Sequence, residues 1–156
     1  MATWAALAWN GSYPTVAAPV PHGWQAVPGV YASFSVPKSW SFQQSLSDSQ
    51  GDVYYSGPGG AAAQSVTEAR RPPAPGRTVP AVVANYLGGS YTVTSVAPYR
   101  LHNAGRCWEY RFSLPSHEKA LGILAWARKT SSEVWLVAMP ASPTTERVLS
   151  TLTLAA

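Results

Sequence analysis

The chain is short of charge. Only 12% of its 156 residues are Asp, Glu, Lys or Arg, about half the usual share for a soluble domain. Ser, Thr, Gln, Gly and Pro must supply the rest of the surface polarity. The 11 basic and 7 acidic side chains leave a net charge of +4, and the basic residues are scattered along the chain. The dense basic patch of a nucleic-acid-binding domain is therefore missing. Such binding would need Arg70, Arg71, Arg77, Arg100 and Arg106 to converge on one face, so no specific nucleic-acid signal is read. One cysteine, Cys107, is present, which excludes an internal disulfide and a Cys-based zinc site. The three histidines, His22, His102 and His117, are isolated from one another and the carboxylates are scattered, so no metal site and no cofactor is expected. Serine never occupies a G-x-S-x-G elbow. The Gly57-Pro58-Gly59-Gly60 run follows a strand-like stretch but opens no helix, so it fails as a phosphate loop. The opening apolar run, Ala2 to Trp9, is too short to cross a bilayer and lacks a basic leader.

What the chain does have is apolar mass, at 46% of residues, enough for one domain with a full core. Residues 1–23 read as an Ala/Pro-rich N-terminal tether and residues 24–156 as a single domain. The main local signal is a rhythm of two. Val30 to Val36, Trp40 to Gln43 and Val53 to Tyr55 read as strands, and Ala61 to Ala69 as the hairpin partner of the last. Arg70 to Arg77 (RRPPAPGR) reads as a stiff exposed loop. It is either a plain connection or a binding element in which Arg70, Arg71 and Arg77 meet an anion or the prolines meet an aromatic groove. Thr78 to Gly89 carries a cap, an early proline, a stripe of Val82, Val83, Tyr86 and Leu87, and a Gly-Gly stop, which together predict an internal helix.

From residue 90 the chain reads as strands again. The runs around Trp108, Trp126 and Trp135 are joined by short turns, which predicts an antiparallel meander over residues 105–140. In the first of these runs one face carries Trp108, Tyr110 and Phe112 and the other carries Cys107, Glu109 and Arg111. The next two are apolar on both faces, so the indoles count as core. A capping pattern at Ser142 or Thr144 ahead of Glu146 predicts a closing helix with Val148, Leu149 and Leu152 buried. The expected fold class is thus α+β: an antiparallel sheet with a C-terminal meander, flanked by one internal and one C-terminal helix.

Phe34, Val36, Pro37 and Trp40, followed later by Gly105 and the aromatic strand from Trp108 to Phe112, resemble the PsbP-like group. This group includes a photosystem extrinsic subunit, the Ran-binding Mog proteins and small exported bacterial lipoproteins. The resemblance covers residues 24–155 and rests on these short motifs and on the order of elements. It implies a binding or assembly module, with helices on the faces of an antiparallel sheet. The chain lacks the acidic character of the Ran-binding members, so the exported members fit best.

Two functions are weighed. The first is a non-catalytic module with no catalytic residues, exported or at the cell surface, with a cytoplasmic location as the alternative. Its partner would be a protein or cell-envelope component, and the N-terminal tether would attach it peripherally to a membrane. The second is a small hydrolase using Glu109 or Cys107 with a histidine, His102 or His117, brought within reach. A buried Cys107 and a charge-paired Glu109 would favour the first; a shared pocket would favour the second.

Overall fold

A computed structural model describes residues 18–27, 32–43, 53–69, 89–101, 104–127 and 132–154. Among them are ten strands: β1 (Trp24–Val27), β2 (Ala32–Pro37), β3 (Ser41–Phe42), β4 (Val53–Ser56), β5 (Ala62–Ala69), β6 (Thr92–Pro98), β7 (Ala104–Ser113), β8 (Lys119–Ala127), β9 (Ser132–Met139) and β10 (Thr153–Leu154). One α-helix, α1 (Pro143–Ser150), lies between the last two, and a 3-10 turn covers Pro58–Gly60. Seven strands form one sheet in the order β3-β4-β5-β9-β8-β7-β6, and three form a second in the order β1-β2-β10. Every pairing is antiparallel.

The expected α+β class is corrected by this arrangement: the fold is mostly β, two antiparallel sheets with a single α-helix among the described residues. The physical reason lies at the two ends of the domain. Residues 24–27 pair with β2, and the tail that was assigned to the closing helix turns back as strand. Thr153 opposes Ser33 and Leu154 opposes Ala32. Thr151 closes the helix as its C-cap, and the β-branched Thr153 beyond it suits an extended strand. The internal helix expected from Thr78 lies outside the described residues.

The large sheet is covered differently on its two faces. One face carries Cys107, Leu121, Ile123, Ala125, Val134, Leu136 and Ala138. It packs on Phe34 and Val36 of the small sheet and on Val148 and Leu149 of α1. The other carries Tyr110, Phe112, Leu124, Trp126 and Trp135 in a second cluster. This two-sided burial explains why β8 and β9 read as continuously apolar. Trp126 and Trp135 are 2% and 0% exposed, so they fill core and line no opening. Burying one such ring removes roughly 150–250 Å² from water, worth several kcal/mol at about 25 cal/mol per Å².

Helix α1 begins at Ser142, whose side chain accepts from Thr145 N at 3.2 Å while Thr145 Oγ1 accepts from Ser142 N at 2.9 Å. The capping box therefore closes on Thr145. Glu146, the partner expected from sequence, is left free to reach Arg111. The end of the helix is tied to β2 through Thr151. Its hydroxyl accepts from Ser35 N at 2.9 Å and donates to Val148 O at 2.7 Å. Ser35 Oγ in turn donates to Pro19 O at 2.7 Å, and Ala18 is buried. Ala18 and the Pro19 carbonyl thus lie against β2.

Candidate functional site

The sequence offered three sets of candidates, and the fold disperses them. Arg70, Arg71 and Arg77 lie outside the described residues, as does His102. His117 is exposed in the five-residue connection between β7 and β8, which is closed by bonds from Leu114 N to Glu118 O and from His117 N to Leu114 O, both 2.8 Å. His117 sits there at a φ of 69°. That connection lies at the opposite end of β7 from Cys107, because Cys107 pairs with Ala125 whereas Ser113 pairs with Lys119.

Cys107 points into the main core, opposite Ala125 on β8. Burial pushes its thiol up to about 12, and the nearby Glu109 carboxylate adds to the rise. A reactive cysteine needs the reverse, an electropositive and accessible setting that stabilises the thiolate. Glu109 is one strand step away on the same face. It accepts from Arg111 Nε at 3.0 Å, and Arg111 Nη2 reaches Glu146 of α1 at 2.9 Å. One arginine therefore bridges two carboxylates and fastens the helix to β7. Its guanidinium is held further toward the charged form, first by the hydrogen bond to Glu146 and also by Glu109.

One constellation escaped the sequence reading. Arg106 and Trp108, two residues apart on β7, share the aromatic face. The Arg106 guanidinium lies 5.1 Å over the Trp108 ring and 6.0 Å from that of Trp126. The two indoles meet edge to face at 5.6 Å. The signal was available, since residues at i and i+2 of a strand share a face. The neighbouring Cys107 and Glu109 drew the attention instead. On the same face Glu133 is buried and accepts from Trp135 Nε1 at 2.6 Å.

Among the described residues no group of three His, Cys, Asp or Glu is placed to hold a metal ion, and no helix is long and apolar enough to cross a membrane. The chain matches no protein-family model, and no curated protein is significantly similar to it.

Proposed function

We propose that the chain is a non-catalytic binding or assembly module, exported or held at the cell surface, whose partner is a protein or a component of the cell envelope. The observation that carries this reading is the fate of the two reactive candidates. The Cys107 thiol is sealed in the core with its proton held, and the Glu109 carboxylate is taken up by Arg111. Neither has a histidine beside it among the described residues. A hydrolase built on either would need a general base within about 2.6–3.2 Å.

The seating of Pro19 on Ser35 supports the tether half of the proposal. A segment bound to the sheet at Ala18 and Pro19 gives whatever precedes it a fixed point of departure. Phe34, Val36 and Trp40, which carry the resemblance to the PsbP-like group, are all core residues. Their motif is therefore taken up by packing, which leaves the ligand to be found on the surface.

The test has two arms. The natural gene is expressed in its own host with a C-terminal tag, and envelope, medium and cytoplasm are separated. Recovery in envelope or medium is expected, and recovery confined to the cytoplasm overturns the exported half. The purified chain is also screened against ester, amide and glycoside substrates. A hydrolysis that Glu109→Gln or Cys107→Ser abolishes while leaving the fold intact overturns the non-catalytic half.

A further inference from the structure

At one end of the seven-stranded sheet Arg100 and Arg106 flank the β6–β7 turn, with no acid in the sequence between them. Tyr99 N donates to Cys107 O at 3.0 Å, and Ala104 N donates to Leu101 O at 3.4 Å. Against β8, β7 carries a register irregularity between Ala104 and Arg106, at the root of the β6–β7 turn. Both arginines are exposed. Neither forms an ion pair among the described residues, where the pairs present are those of Arg111 with Glu109 and Glu146. By strand alternation Arg100 shares a face with Pro98, which opposes Trp108. The acid nearest in register on that face is Glu133, opposite Trp126, and it is buried against Trp135. Glu68 opposes Glu133 one strand further on. Glu109 and Arg111 lie on the other face.

Two like charges held near one turn repel, and an anion bound between them reverses the sign. The Arg106 guanidinium sits over the Trp108 ring, which leaves N–H groups for two-pronged contact with an oxyanion. A fork already held in place loses little side-chain freedom on binding. A carboxylate, with one charge, would balance one arginine. A phosphate monoester carries about two negative charges and several acceptor oxygens, which suits both. The same end of the sheet receives the close of β5 at Ala69, the close of β8 at Ala127 and the start of β9 at Ser132. In sequence these ends run on into Arg70 and Arg71, and into Arg128 and Lys129. The placement of those four lies outside the described residues, and the site does not depend on them.

We propose that Arg100 and Arg106, on the base formed by Trp108 and Trp126, bind a phosphate group, either free in solution or presented by an anionic lipid surface. This gives the binding-module reading a ligand class and rests on that reading only for its biological sense. The full chain is titrated at low salt with inorganic pyrophosphate. It is titrated separately with phosphatidylcholine vesicles, with and without phosphatidic acid, whose headgroup is a phosphate monoester. Calorimetry and the fluorescence of the indole pair are the readouts.

Saturable binding to at least one probe is expected, weakened about tenfold or more by Arg106→Gln and by Arg100→Gln, the scale of one lost charge-assisted contact. Arg106→Lys keeps the charge and loses the fork, so it should weaken binding too. Arg147→Gln removes the same charge from above Trp24 on another element and should leave binding unchanged. Binding to pyrophosphate alone assigns a soluble phosphate ligand. Binding only to the phosphatidic acid vesicles assigns a lipid headgroup. No saturable binding to either probe overturns the proposal, as does equal weakening by Arg147→Gln. Those failures leave the fractionation and hydrolysis results standing, so the two readings fall separately.

Discussion

The ring of Tyr110 occupies the space that a side chain at residue 122 would fill. Tyr110 and Gly122 are directly opposed in the β7–β8 register. A methyl group on Gly122 would come within 2.5 Å of Tyr110 Oη and 2.9 Å of Leu136 O. Gly122 sits in mid-strand, where glycine normally weakens a sheet. Here its missing side chain lets a fully buried tyrosine lie over β8 and meet Trp135 edge to face at 5.8 Å. The second cluster is assembled around that gap.

Gly122→Ala should therefore destabilise the fold by about 1–3 kcal/mol, the cost of overpacking a closed core. Urea unfolding measures it. Gly89→Ala, where an added methyl meets nothing within 4 Å, is the control and should be near neutral. The sharper measurement combines Gly122→Ala with Tyr110→Ala. If the two residues compete for one space, the double variant loses less stability than the two single losses added together. Strict additivity would show that the clash is relieved elsewhere.

Thr151 is the hinge between α1 and the small sheet. Its hydroxyl takes the N–H of Ser35 and gives its proton to Val148 O. Thr151→Val keeps the shape and leaves the buried Ser35 N–H without its acceptor. An unsatisfied buried donor costs roughly 1–3 kcal/mol. Thr151→Ser keeps the hydroxyl and should recover most of that loss in the same thermal or urea unfolding measurement. A loss in Thr151→Ser with Thr151→Val unchanged would mean that the methyl group matters and the hydrogen bond does not.

How much of this could be read from the sequence depends on the scale of the pattern. The antiparallel pairing of the strands around Trp108, Trp126 and Trp135 was legible because alternation and short turns are local. The small sheet was not, because β2 finds β10 across more than a hundred residues and no local rhythm encodes that choice. The tail beyond Leu149 shows the same limit. Leu152 fits a helical stripe and Thr153 fits a strand, and only the open edge of β2 decides between them. At the site level, the pairing of Glu109 with Arg111 follows from their spacing on one strand. The third partner, Glu146, does not, because it depends on where α1 docks.

His117 holds a left-handed backbone conformation, with φ at 69°, in the β7–β8 turn. A residue with a side chain is strained there, and glycine is not. His117→Gly should be neutral or stabilising by up to about 1 kcal/mol. His117→Val, β-branched, should be destabilising by more than that. The pair of variants separates conformation from chemistry. If His117 served a general-base role, both substitutions would abolish the same activity, whatever they did to the melting temperature.

Cys107 gives the protein a built-in alkaline limit. Its thiol is raised from an ordinary 9.0 to about 12 by burial and by Glu109. The unfolded chain then sheds this proton near pH 9, while the folded chain keeps it to about 12. Between those values the unfolded state binds fewer protons than the native state, so stability falls as pH rises, by up to about 1.4 kcal/mol per pH unit. Below pH 9 the contribution is fully present. Tyr55 and Tyr99, both raised by burial, act in the same direction above 10, so the diagnostic window is pH 9 to 10. Over that window the stability advantage of the wild type over Cys107→Ala should shrink, as measured by urea unfolding at fixed ionic strength. The same thiol should resist a disulfide reagent at pH 8 in the folded protein and react at once in denaturant. Rapid labelling of the folded chain, or an advantage that stays constant from pH 8 to 10, would show that the thiol is accessible and would return Cys107 to the list of candidate nucleophiles.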